Sequence, residues 1–126
     1  MAKKVLVVED SITMRSLITS TLEEISGFTV VAVGNGFEAL KTLPQQPIDL
    51  IITDINMPDI NGLEIVNFVK NHPNYRTIPL IIVSTEQSDE DIRKGLSLGA
   101  SAYVTKPFNP DELRKTVQDV LKSSGQ

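Results

Sequence analysis

A chain of 126 residues is close to the length of one typical domain, and its 40% hydrophobic content is enough for a core, so a single compact domain with no separate output domain is expected. The 12 basic and 16 acidic residues leave a net charge of −4, which disfavours nucleic acid or anionic lipid held by charge alone. With no cysteine and only His72, the chain cannot build a disulfide, a thiolate-bound zinc, an iron–sulfur cluster or a histidine-rich metal site, so any metal must be bound by oxygen.

Met1-Ala2-Lys3-Lys4 runs straight into Val5-Leu6-Val7-Val8. That apolar run is too short for a signal sequence or a membrane span, and a soluble cytoplasmic protein is expected. Met14, Leu17, Ile18, Leu22 and Ile25 follow at helical spacing and stop at Gly27, a helix terminator. The mixed run Phe28 to Val33 predicts a second strand, and Asn35 with Glu38 opens a second helix. Leu50 to Ile52 predicts a third strand, and Leu63, Val66 and Val69 a short helix ending in the turn cluster Asn71-His72-Pro73-Asn74. Leu80 to Val83 gives a fourth strand, with Ser88 and Asp91 opening the next helix. A weaker fifth strand, Ala102 to Val104, precedes a last helix carrying Leu113, Val117, Val120 and Leu121. That helix opens with Asn109 as cap, Pro110 at the first helical position and Glu112 as the capping-box partner. Ser123-Ser124-Gly125-Gln126 reads as a frayed tail.

Continuously apolar strands are covered on both faces, as in a parallel sheet between helices. Five βα units with right-handed crossovers predict an α/β, doubly wound five-stranded parallel sheet of flavodoxin-like order 2-1-3-4-5.

In such a sheet ligands lie beyond the carboxyl ends of the strands, at the switch point between strands 1 and 3. The residues there are Glu9-Asp10 after strand 1, Asp54 after strand 3, Ser84-Thr85 after strand 4 and Lys106-Pro107 after strand 5. Three carboxylates at one edge raise one another's pKa unless a cation shares the site, and Mg2+ suits an all-oxygen site that keeps positions open for phosphate. A carboxylate on Mg2+ beside a lysine and a hydroxyl handles phosphoryl groups, and Asp54 as nucleophile would form an aspartyl phosphate. Singly, Asp54 could be a turn former, Glu9-Asp10 a helix cap and Lys106 a surface lysine. Their joint placement at four strand ends favours the shared site.

Glu9-Asp10, Asp54 with Asn56-Met57-Pro58 and Gly62, Ser84, and Lys106-Pro107-Phe108 together resemble the receiver domains of two-component response regulators. The resemblance spans essentially the whole chain, so that residues 1–126 read as one receiver. It implies that Asp54 is the phosphoacceptor, that Asp10 ligates Mg2+ directly and Glu9 largely through metal-bound water, and that Asn56 contributes its backbone carbonyl; Mn2+ is a substitute. It also implies that Ser84 bonds the phosphoryl group, Lys106 pairs with it, Tyr103 turns inward as the hydroxyl moves, Asn56 and Glu86 tune water access, and the Lys106-Pro107 bond is cis. Thr85 stands where the family usually carries Ala or Gly, which would narrow access to the phosphoryl pocket.

Ser11-Ile12-Thr13-Met14-Arg15 and Asp54-Ile55-Asn56-Met57-Pro58 are most similar to stand-alone chemotaxis regulators of the CheY type. The implied protein is a cytoplasmic monomer and a signalling switch rather than an enzyme, its chemistry limited to its own phosphorylation and dephosphorylation. A sensor histidine kinase is its implied phosphodonor. Its downstream partner, such as the flagellar motor switch, would dock on the face formed by helix 4, strand 5 and helix 5, with no nucleic acid or membrane partner. A receiver in a non-chemotaxis phosphorelay is the alternative, followed by a Mg2+-dependent phosphatase or phosphotransferase, for which no further general acid or base is evident.

Gly34-Asn35-Gly36-Phe37-Glu38-Ala39 competes as a G-x-G-x-x-A dinucleotide fingerprint. It follows the edge strand rather than the central one, so a plain turn into the second helix is preferred. Asp89, Glu90 and Asp91 read as favourable charge at a helix start, His72 as a solvated loop residue and Met57 as packing.

Overall fold

Along β1 (Lys3–Val8) successive side chains enter two different cores. Val5 and Val7 pack with Ile18, Leu22, Leu113 and Val117, whereas Leu6 and Val8 pack with Ala39, Ile65, Val66 and Val69. This period-two alternation places one helical layer on each side of the sheet. The structure, a computed structural model, describes residues 2–124.

Five parallel strands form the sheet in the order β2-β1-β3-β4-β5, with β2 (Phe28–Val33), β3 (Leu50–Thr53), β4 (Leu80–Ser84) and β5 (Ala102–Thr105). The helices between and after them are α1 (Ile12–Glu23), α2 (Gly36–Thr42), α3 (Gly62–Lys70), α4 (Asp89–Ser97) and α5 (Pro110–Ser123). β3 and β4 are buried along their whole length, as their unbroken apolar runs predict. β2, at the sheet edge, leaves Thr29 and Ala32 exposed. Each fully buried Ile, Leu or Val contributes about 1.5–3 kcal/mol, so the ends of the central strands are firmly anchored. Val8 is in register with both Val33 and Thr53, which brings Glu9, Gly34 and Asp54 side by side one residue further on.

Some boundaries differ from those expected. α1 ends at Glu23, not beside Gly27; Gly27 instead takes φ 86° in the turn into β2. The cap of α1 is Ser11, whose Oγ accepts from the Met14 N–H, rather than Glu9-Asp10. The reciprocal capping box stands at Asn61 and Glu64, while Asn109 closes onto the Asp111 N–H. α5 takes in Ser123 and is capped by Ser124, so the expected tail begins too early; Gly125 and Gln126 lie outside the described residues. His72 is half-buried, stacked on Tyr75 at 4.3 Å, with Nδ1 accepting from the Asn74 N–H, so it belongs to a small aromatic cluster rather than to solvent.

The glycine-rich turn before α2 is filled by protein. Asp59, from the β3–α3 loop, accepts from the Gly36 N–H with Oδ1 at 3.0 Å and from the Phe37 N–H with Oδ2 at 2.9 Å, and Asn35 Oδ1 takes the Glu38 N–H. The amides that would cradle a pyrophosphate are therefore engaged, which argues against the dinucleotide reading. What desolvation Asp59 suffers pushes its pKa up, but the N–H groups of Phe37, Gly36 and Ile60 outweigh that and hold it below the usual 3.8. A depressed folded pKa means that the cap's stabilisation is present above pH 3.8 and is lost as pH falls through the folded value. Asp59→Ala should accordingly speed hydrogen exchange at Gly36 and Phe37 at neutral pH. It should leave less acid sensitivity there, and unchanged exchange would refute the cap.

Candidate functional site

β1, β3, β4 and β5 end on one edge of the sheet, and the polar residues that follow them converge there. The Asp54 N–H donates to the Val8 carbonyl at 3.0 Å, carrying the β1–β3 ladder to the site, and the Lys106 N–H donates to the Ser84 carbonyl at 2.8 Å, doing the same for β4 and β5. Glu9, Asp10 and Asp54 each present a carboxylate oxygen within 4.8 Å of the others. Lys106 Nζ bridges two of them, at 2.7 Å from Glu9 Oε1 and 3.2 Å from Asp54 Oδ2. The Lys106-Pro107 peptide is cis.

The three carboxylates differ in their surroundings. Glu9 is 1% exposed and gives its second oxygen to the Ser11 N–H, whereas Asp10 is exposed. Asp54 is 8% exposed and accepts the Ile55 N–H on Oδ1 at 2.7 Å. Burial pushes the Glu9 carboxyl above its usual 4.5, and Asp54 adds to the rise, while Lys106 and the Ser11 N–H oppose it. Burial alone would lower Lys106, but its bond to Glu9 and the charges of Asp54 and Glu9 hold it above 10.5. One ammonium therefore offsets three acidic groups. The all-oxygen, carboxylate-rich donor set fits a hard divalent cation rather than a soft metal.

Around this centre Ser84 is buried and its Oγ accepts from the Glu86 N–H at 3.0 Å, while Thr85 is exposed. Asn56 Nδ2 donates to Glu86 Oε1 at 3.2 Å, closing a bridge across the mouth between the β3–α3 and β4–α4 loops. The Tyr103 hydroxyl donates to the Glu86 carbonyl at 2.7 Å, with its ring turned in toward Gly95. Burial pushes the Tyr103 phenol above 10.0; the Ser84 hydroxyl opposes this, and the charges of Asp91, Glu86 and Asp54 add to it. The structure thus joins Glu9, Asp10, Asp54 and Lys106 in one cluster and links Ser84, Glu86, Asn56 and Tyr103 in a second, adjacent one.

Two contributors were not legible in the sequence. Gln87 Nε2 donates to the Lys106 carbonyl at 2.7 Å, and Arg15 Nη1 donates to the Glu9 carbonyl at 3.0 Å. Both serve backbone atoms, for which the sequence carries no signal.

A family model for the response regulator receiver domain matches residues 5–118. The chain belongs to that family. As a receiver it is 39% identical over 119 residues to a chemotaxis protein CheY homolog of Campylobacter jejuni, covering 94% of this chain and 92% of that protein. The solved structure of chemotaxis response regulator CheY4 of Vibrio cholerae superposes with a TM-score of 0.88 at 38% identity, covering 95% of this receiver and 99% of that chain. The receiver is also 34% identical to the alkaline phosphatase synthesis transcriptional regulatory protein PhoP of Bacillus subtilis, where the match covers 98% of this chain but 50% of that protein. It is thus a CheY-like receiver of two-component signalling, a switch by family. No helix among the described residues is long and apolar enough to cross a membrane.

Proposed function

We propose that this receiver is a phosphorylation switch in a chemotaxis phosphorelay, with Asp54 as the phosphoacceptor. The observation that carries the reading is the Asp54 carboxylate at the mouth of the sheet, 3.2 Å from the Lys106 ammonium and clustered with Glu9 and Asp10. Those three carboxylates and the Asn56 carbonyl would hold Mg2+, or Mn2+ in its place, which would supply neutralisation of the phosphoryl oxygens.

An Asp54 oxygen attacks the phosphorus of a kinase phosphohistidine; the new P–O bond forms as the P–N bond breaks, and the imidazole nitrogen keeps the electron pair and takes a proton. No general base is needed, because a carboxylate is already ionised. The transfer adds about −1.5 to −2 charge at Asp54. Lys106 follows that charge from the carboxylate to the phosphoryl oxygens, and Ser84 Oγ leaves the Glu86 N–H to bond them. Because Glu86 also holds Tyr103 and Asn56, movement of the β4–α4 loop reaches Tyr103 on β5. Asn56 and Glu86 set water access, and Thr85 narrows it.

The docking face is α4, β5 and α5, where a partner such as the flagellar motor switch reads the phosphorylated form in the cytoplasm. The likeness to a transcriptional regulator supports a second reading, a phosphorelay outside chemotaxis.

Transfer from a labelled sensor histidine kinase is the test. Label should pass to the wild-type chain in Mg2+ and stay on the kinase with Asp54→Asn; transfer to both would refute the assignment. A partner retained equally by the phosphorylated and unphosphorylated forms would refute the switch.

A further inference from the structure

Asp10 is exposed, and its side chain has no hydrogen-bond partner among the described residues, so the backbone around it fixes where its carboxylate lies, with Ser11 after it capping α1 and donating its N–H to Glu9 Oε2. That backbone is held at the Glu9 peptide. The Glu9 N–H donates to the Val33 carbonyl at 3.1 Å, and the Glu9 carbonyl accepts from Arg15 Nη1 at 3.0 Å. Arg15 lies in the first turn of α1, its N–H donating to the Ser11 carbonyl, and its side chain reaches back six residues to the end of β1. To do so the guanidinium passes over Gly34: a Cβ there would lie 2.6 Å from Arg15 Nη1. Gly34 does not take a positive φ among the described residues, so the space for Arg15, rather than backbone strain, is what a side chain at this position would remove.

We propose that Arg15 is a positioning residue for the cation site: by clamping the Glu9 carbonyl across the glycine of the β2–α2 loop, it orients the Glu9–Asp10 peptide and thereby the Asp10 carboxylate. The inference rests on the reading of Glu9, Asp10 and Asp54 as the cation's ligands. Groups that orient a ligand are worth about 10–100-fold in metal affinity, and an exposed ligand held only through its backbone belongs at the lower end, about tenfold.

Charge makes the opposite prediction. Removing a cation near a cation site would tighten binding, and a charge-conserving lysine would leave it unchanged. The sign of the effect therefore separates the two roles.

The test is titration of Mg2+ into wild type, Arg15→Lys, Arg15→Met, Gly34→Ala and the Arg15→Met/Gly34→Ala double variant. The metal-free Glu9 carbonyl carbon shift is followed by NMR. Arg15→Met should bind Mg2+ about tenfold more weakly, with Arg15→Lys in between because it keeps one donor in reach. Gly34→Ala, which displaces the guanidinium without deleting it, should weaken binding in the same direction, and the double variant should lose no more than Arg15→Met alone. The Glu9 carbonyl shift should move in each variant before any Mg2+ is added. Arg15→Met binding as tightly as wild type or tighter, or additive losses in the double variant, would overturn the inference. Wild type that takes up no Mg2+ would overturn the cation reading itself and this inference with it.

Discussion

Gly62→Ala should lower the melting temperature by roughly 10 °C or more and misplace Asp54 in whatever fraction folds. A Cβ at position 62 would lie 1.8 Å from the Asp54 carbonyl oxygen and 2.8 Å from both the Asp54 carbonyl carbon and Ile55 Cα. All three are backbone atoms at the end of β3, so no side chain can swing aside. The chain cannot back away either, because the Gly62 N–H donates to the Ile55 carbonyl at 2.8 Å and Asn61 caps α3 in a reciprocal box. Overpacking typically costs about 1–3 kcal/mol, and a clash against two rigid strand-end residues belongs at or above about 3 kcal/mol. Thermal unfolding measures the loss, and loading of the refolded fraction with a phosphodonor measures the misplacement. Wild-type stability would mean that the β3–α3 loop yields, contrary to these contacts.

Lys106→Met is expected to cost about 3 kcal/mol at pH 7 without a divalent ion, because it leaves Glu9 buried with no cation beside it. The figure sits at the low end for a broken buried pair, since Glu9 keeps the Ser11 N–H and Asp54 the Ile55 N–H. The dependence on pH follows from the two raised pKa values. Glu9 is held above 4.5, so the protonated form is favoured by folding; the contribution of Glu9 to stability is greatest below pH 4.5 and is lost as pH rises through the folded value. Removing Lys106 takes away the strongest opposing influence and raises Glu9 further. Lys106 is itself held above 10.5, so its stabilisation is complete below pH 10.5 and is lost as pH rises through its folded value. The gap between variant and wild type should therefore widen as pH rises above 4.5 and Glu9 ionises, and shrink again as pH rises above 10.5 and Lys106 loses its charge. Added Mg2+ should stabilise the variant more than the wild type. A gap that stays constant across pH would contradict the pairing of Lys106 with Glu9.

The parallel sheet was legible because unbroken apolar runs alternate with amphipathic helical stretches, and its order because 2-1-3-4-5 is a common arrangement of five such βα units. The acidic cluster was legible for a related reason: a polar residue directly after a buried strand has one edge to occupy, as Glu9 and Asp54 do. Boundaries were less so. Ser11 rather than Glu9-Asp10 caps α1, since Glu9 is drawn inward to Lys106, a residue distant in sequence. Asp59, Arg15 and Gln87 bond backbone groups in other elements, and those partners exist only once the loops have met. Gly62 belonged to the pattern of resemblance, but the reason for it, a carbonyl oxygen where its Cβ would be, is visible only in three dimensions. His72 reads as a loop residue in sequence because its ring contacts with Phe68 and Tyr75 form only once α3 and the turn after it have folded.

The most direct test of the central claim is the intact mass of the purified chain after incubation with Mg2+ and a small phosphodonor such as acetyl phosphate. The account predicts a gain of one phosphoryl group in the wild type, abolished by chelating the metal and absent from Asp54→Asn. A wild type that gains no mass, or an Asp54→Asn variant that gains the same mass, would contradict it.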